Sequence, residues 1–200
     1  MMLIRRIILL ALFVGAISGC YLPTDFKADL RIKADGNYNF QYQGMLVYVP
    51  LLDKIDKNEL SRDALTKYVT AVEQDLQRDR NFTEVQYVDK AAFRVRYKKF
   101  GNILQEKTFN FVRQNARLLS LARHPNGTIS ITGDKPNTQI ADELAKRGIV
   151  MRGTLRIQTE AQVVKHNADE VLTAAAPVHV WNIEGLKKPS PAMVLTARPR

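Results

Sequence analysis

The chain holds one cysteine in 200 residues, Cys20, and it closes the run Ile17-Ser18-Gly19-Cys20. A single thiol offers no intrachain disulfide and no cysteine zinc site. The three histidines, His124, His166 and His179, have no ligand or base partner at a recognised spacing. His124-Pro125-Asn126-Gly127 reads as a turn, and a spatial grouping of His166 and His179 with Asp169 is left to the fold. There is no G-x-S-x-G, no H-E-x-x-H and no phosphate loop. Gly133-Asp134-Lys135-Pro136 lacks the glycine spacing and the helix-opening Lys-Ser/Thr that such a loop needs. Nothing singles out Asp53 or Asp56 among the carboxylates, so no catalyst, cofactor or metal is expected, and the chain is read as a non-enzyme.

The residue pattern that does recur is cationic. Phe93-Arg94-Val95-Arg96-Tyr97-Lys98 alternates apolar with basic, so a strand here projects Arg94, Arg96 and Lys98 from one face. Arg31 and Lys33, and separately Arg156 beside Gln158, repeat the alternation elsewhere. If these strands are neighbours, like charges facing one another cost stability unless an anion or an acidic residue lies between them. Arg31, Lys33, Arg94, Arg96, Lys98 and Arg156 are therefore the candidate anion-binding face. The same alternation also serves a solvated sheet face that blocks edge pairing and pairs with local Asp or Glu. Trp181, alternating with His179 and Ile183, reads as a core residue because of the area it buries.

These residues must be positioned by a chain with an unusual start. Arg5 and Arg6 form a charged n-region, and Ile7 to Ile17 give eleven mostly apolar residues. That fits a signal h-region and is too short for a bilayer span of about 20 residues. Ile17-Ser18-Gly19-Cys20 resembles the lipobox of bacterial lipoproteins. The resemblance implies diacylglycerol on the Cys20 sulfur, cleavage before Cys20, and acylation of the new amino terminus, commonly with palmitate. An ordinary secretory signal with a free cysteine and a buried apolar helix are the other readings, although the A-x-A-like cleavage pattern is absent. Two or more acyl chains, at about 0.8 kcal/mol per buried methylene, attach a protein stably. Tyr21 follows the cysteine where an aspartate signals inner-membrane retention in many Gram-negative lipoproteins. Delivery to the outer membrane facing the periplasm is then implied, or otherwise to the extracytoplasmic face of the plasma membrane.

Residues 1–19 are thus expected to be a cleaved signal peptide, 20–25 a lipidated cysteine with a short tether, and 26–200 one domain. The five tether residues would reach roughly 17 Å at about 3.4 Å each. Without Arg5 and Arg6 the 30 basic side chains become 28 against 20 acidic, a balance of +8. That favours anionic lipids, glycolipids, acidic polymers or acidic proteins, while an envelope address argues against nucleic acid. Phe26 to Ala34 alternates as a strand, Asp35-Gly36 turns, and Tyr38 to Gln43 returns as a hairpin that continues to Val49, with Gly44 as a bulge signal. A helix follows, capped by Asn58 or Ser61, with Leu65, Tyr68, Val69, Val72 and Leu76 as its stripe. Phe82 to Val88 and Ala91 to Phe100 read as strands, and Arg117 to Thr132 as a hairpin at Asn126-Gly127. Asn137 caps a short helix with Ile140 and Leu144 that stops at Gly148. Strands follow at Gly153–Thr159, Val178–Asn182 and Ala192–Thr196. The expected fold class is α+β: a mainly antiparallel sheet with two helices packed on it, in a single domain.

The last third, from Gly153-Thr154-Leu155-Arg156-Ile157 through Val164, Asn167 and Trp181-Asn182-Ile183 to Met193-Val194-Leu195-Thr196-Ala197, resembles the LppM-type bacterial lipoproteins. The lipobox followed at once by a long hairpin, Asp29 to Val49, is similar as well. Members commonly continue into a transmembrane helix and a short basic tail, whereas here Arg198-Pro199-Arg200 follow the last strand, so the lipid is the expected anchor. The resemblance implies an extracytoplasmic, β-rich, non-catalytic envelope domain and transfers no functional residues. The function expected is a membrane-anchored binding module for anionic lipid or glycolipid. The alternative is a structural or assembly lipoprotein docking on an envelope protein.

Overall fold

The computed structural model describes residues 21–113, 116–134, 138–185 and 188–197. Cys20, the signal segment and the Asn137 cap lie outside the described residues.

Alternation decides the first two strands. In β1 (Tyr21–Ile32) Phe26, Ala28, Leu30 and Ile32 are buried while Lys27, Asp29 and Arg31 are exposed, and β2 (Asn37–Tyr48) buries Tyr38, Phe40 and Tyr42. At the turn, Asp35 accepts the Asn37 N–H at 3.1 Å and Gly36 takes φ +83°, a left-handed backbone that costs glycine nothing. The strand begins earlier than its charge alternation suggests. Tyr21, Leu22 and Pro23 are buried and pair with Tyr48, Val47 and Leu46, so residues 21–25 are strand and not the expected tether. Their apolar surface is worth more in the core than in solvent. The pairing slips between Thr24 and Lys27, opposite Gly44, where a Cβ would meet the Phe26 Cβ at 2.5 Å. The irregularity is therefore on β1, and the glycine lets the two backbones close.

Ten more strands complete two sheets among the described residues. β3 (Phe82–Asp89), β4 (Ala92–Asn102), β8 (Arg152–Thr159), β10 (Glu170–Leu172) and β11 (Val178–Glu184) join the first hairpin in the order β10-β11-β8-β1-β2-β4-β3. Every pair in this sheet is antiparallel except β1 with β8. β5 (Thr108–Arg113), β6 (Ala116–Arg123), β7 (Thr128–Gly133), β9 (Gln162–His166) and β12 (Ala192–Thr196) form a second, antiparallel sheet, β5-β6-β7-β12-β9. The four described helices are α1 (Val49–Asp56), α2 (Arg62–Gln77), α3 (Ile103–Glu106) and α4 (Thr138–Lys146).

The expected α+β class with two helices on one sheet is thus corrected to a β-rich, two-sheet fold. The split is made at corners. After β4, Asn102 accepts the Leu104 N–H at 2.9 Å to open the single turn of α3, and Lys107 at φ +66° sends the chain into the second sheet. After β8, Thr159 Oγ1 accepts the Ala161 N–H at 3.0 Å, and β9 starts in the second sheet at Gln162. Such corners leave hydrophobic alternation intact on both sides, so alternation cannot reveal them. Val49, expected to end a strand, instead opens α1, where Pro50 supplies a preset helical φ and needs no N–H partner.

Aromatic rings join the sheets. Phe111 of β5 lies 5.1 Å from Phe40, 4.8 Å from Tyr42 and 4.8 Å from Tyr97, centroid to centroid, and Phe109 lies 5.3 Å from Tyr38. α2 begins at Ser61, whose Oγ accepts the Ala64 N–H, and it buries Val72 and Leu76 while Leu65, Tyr68 and Val69 pack partly buried on the core. Val72→Asp places an unpartnered charge at a 5% exposed site and should cost several kcal/mol, enough to unfold a domain of ordinary stability. Ser61→Ala should cost only about 1 kcal/mol. Thermal melts by circular dichroism check both, and an unchanged midpoint for Val72→Asp would contradict the packing of α2.

Candidate anion-binding face

The outward positions of the larger sheet form rows across its strands. One row runs Glu170, Val180, Arg156, Asp29, Gln41, Lys98 over β10, β11, β8, β1, β2 and β4. A second runs Asn182, Thr154, Lys27, Gln43, Arg96, Glu84 and reaches β3. A third runs Leu172, Val178, Gln158, Arg31, Asn39, Phe100. Beyond the second row, Arg94 lies between Met45 and Gln86. Neighbouring strands sit about 4.8 Å apart, so β4 and β8 place their cations within roughly 15 Å of one another.

The structure therefore brings Arg31, Arg94, Arg96, Lys98 and Arg156 onto one exposed face. Lys33 is exposed in the turn after β1, at the end of that face and not in its rows. Cys20 lies outside the described residues. Lys27, which shares the outward parity of Asp29 and Arg31, belongs to the face and was not singled out in the sequence, although the alternation contains it. In the sequence Phe100 reads only as the end of a strand.

Acidic groups on this face are few. Arg96 Nε meets Glu84 at 3.1 Å, and Arg156 Nε stands 3.9 Å from Asp29, both pairs largely in solvent. At the edge Arg152 pairs with Asp25 at 2.8 Å. Among the described residues no carboxylate oxygen lies within 4.0 Å of Lys27, Arg31, Arg94 or Lys98. Lys98 Nζ instead stands 5.0 Å from the centroid of the Phe100 ring. An open cleft of about 400 Å³ adjoins the Arg94 end, lined by Thr24, Asp25, Met45, Lys90, Val150 and Arg152. The gap between the two sheets is far smaller, about 30 Å³ among Phe26, Phe40, Tyr42, Phe111 and Leu155, too small for an acyl chain. None of Lys27, Arg31, Arg94, Arg96, Lys98 and Arg156 lines either space, so an anion that they held would lie on the sheet surface.

The histidines serve other ends. His124 Nε2 bonds Ser130 Oγ at 2.8 Å beside its turn. His166 and His179, from different sheets, meet edge-on at 4.6 Å between centroids. Asp169 is turned elsewhere: it accepts from Lys188 at 2.9 Å and from the Asn182 N–H at 2.7 Å, which hold its carboxyl below the ordinary range. Among the described residues no three His, Cys, Asp or Glu side chains group to hold a metal. Trp181 is buried and donates Nε1–H to Asn167 Oδ1 at 2.8 Å, a core role. Among the described residues no helix is long and apolar enough to cross a membrane.

No protein-family model matches the chain, and no curated protein matches it. Among solved structures, the NMR structure of the folded domain of LppM from Mycobacterium tuberculosis is similar over 90% of this chain and 91% of that chain, with a TM-score of 0.46 and 10% identity. The expected resemblance to LppM-type lipoproteins is met only by this distant likeness, which assigns the chain no family.

Burial first, and then the neighbouring His166, hold His179 below its ordinary 6.5, against a backbone hydrogen bond to Ile157 that raises it. The folded chain favours the neutral ring, so unfolded chains take up the proton first. Stability is then full above 6.5 and falls as pH drops from there toward the folded value. Urea midpoints measured across that window should decline with acid in the wild type and less steeply in His179→Phe. Equal slopes would place the cause elsewhere.

Proposed function

We propose that this chain is a membrane-anchored envelope lipoprotein whose domain binds anionic lipid or glycolipid without catalysis, through the outer face of the larger sheet. The observation that carries the reading is the set of six exposed cations, Lys27, Arg31, Arg94, Arg96, Lys98 and Arg156, on one sheet face whose rows hold three carboxylates, Asp29, Glu84 and Glu170. Side chains of this kind within a Debye length of an anionic surface gain about 1 kcal/mol each. A flat array suits many headgroups at once, where a single small anion needs a concave site.

Anchoring follows from the Cys20 reading. With Tyr21 to Asp25 in β1, a lipid on Cys20 leaves almost no slack, and the domain stands against the headgroups. The membrane proposed is the outer membrane on its periplasmic side, or the extracytoplasmic face of the plasma membrane where there is no outer membrane. Cys20→Ser should leave the precursor uncleaved or mislocalised. Processed Cys20→Ser protein in the membrane fraction would contradict the lipid anchor.

The face itself is tested on the chain from Tyr21 onward, without lipid. Reversing Arg94, Arg96 and Lys98 to glutamate should leave the melting temperature nearly unchanged. It should weaken binding to anionic vesicles by on the order of a hundredfold at low salt, from roughly 3 kcal/mol of lost attraction. The difference should shrink as salt rises. Equal binding by wild type and variant at low salt would remove the face from lipid binding and favour docking on an envelope protein.

A further inference from the structure

Phe100 is 64% exposed, more than any other large apolar side chain among the described residues. It follows Arg94, Arg96 and Lys98 on the outward positions of β4, where alternation on a solvated face calls for a polar residue. Its row holds Asn39 and Arg31, and Lys98 stands over its ring. Pairing of β3 with β4 ends at Tyr97, so Phe100 lies at the margin of the sheet. At the opposite margin the same row ends in Val178 and Leu172, the latter 39% exposed. Apolar groups at both margins, with Arg31 between them in the row and Arg156 and Lys98 in the adjoining one, match the interface of an anionic bilayer, where charges meet phosphates while apolar side chains sink about 5–10 Å.

Resting on the reading that this face meets anionic lipid, we infer that Phe100 is the apolar anchor that inserts below the headgroups, with Lys98 and Arg31 engaging phosphates beside it. Charge attraction alone acts over a Debye length of about 8 Å and holds a surface loosely. An inserted ring fixes both depth and orientation. An acidic protein would satisfy the same cations but would leave the ring outside any hydrocarbon.

The test uses the full chain carrying F100W, reconstituted into phosphatidylcholine vesicles with or without about one-third phosphatidylglycerol, a share that makes the surface anionic. Lipids with brominated acyl chains report depth by quenching. Trp181 is buried at 3% exposure, so wild-type protein in the same vesicles supplies the baseline. The expected result is an emission shift to the blue and severalfold stronger quenching than wild type in the anionic vesicles, with neither in the neutral ones. Acylation of Lys98 by a water-soluble reagent is followed in parallel. Lys98 protected while the introduced indole stays unquenched would overturn the insertion and leave the face reading standing. Lys98 unprotected and the indole unquenched would overturn both.

Discussion

The contact on which the rest depends is that of Phe111 with the inward face of the larger sheet. Its ring packs on Phe40, Tyr42, Phe82 and Tyr97, which come from β2, β3 and β4. Removing a ring of this kind costs about 3–5 kcal/mol, against a total stability of about 5–15 kcal/mol. Because this seam occupies the inward positions, whatever the larger sheet does for function must be done by its outward positions. The strands cannot slip to hide the cations, since a one-residue shift would turn Phe40, Tyr42 and Tyr97 into solvent.

Magnitudes also argue that the outward charges are not there for stability. Arg96 with Glu84 and Arg156 with Asp29 are exposed pairs, a class worth about 0–1 kcal/mol. Lys27, Arg31, Arg94 and Lys98 have no carboxylate oxygen within 4.0 Å among the described residues and repel one another weakly through water. That repulsion is relieved when phosphate or carboxylate groups come between them. The proposed binding face rests on that relief.

Local structure was legible where side chains report their own environment. Alternation found the first hairpin, β4 and β8, the Asn126-Gly127 turn matched Gly127 at φ +78°, and Ser61 with the Leu65 to Leu76 stripe marked α2. The division into two sheets was not legible, because α3 and the Thr159–Ala161 corner redirect the chain without altering the alternation on either side. β5 and β9 were missed as separate strands for the same reason. The basic residues could be named from the sequence, yet their assembly depended on strand order: Arg156 reaches Arg31 only through the parallel pairing of β8 with β1, and Lys98 only through β2. Phe100 looked like one more apolar strand residue until the register placed it outward.

Arginine-directed chemical footprinting on the vesicle-bound chain tests the central claim most directly. A glyoxal reagent, with modified sites mapped by mass spectrometry, should find Arg31, Arg94, Arg96 and Arg156 protected by anionic vesicles and exposed again at high salt. Arg123, in β6 of the other sheet, should react equally in both conditions. Protection at Arg123 with none at Arg31, Arg94, Arg96 and Arg156 would show that a different surface meets the lipid and would contradict the account.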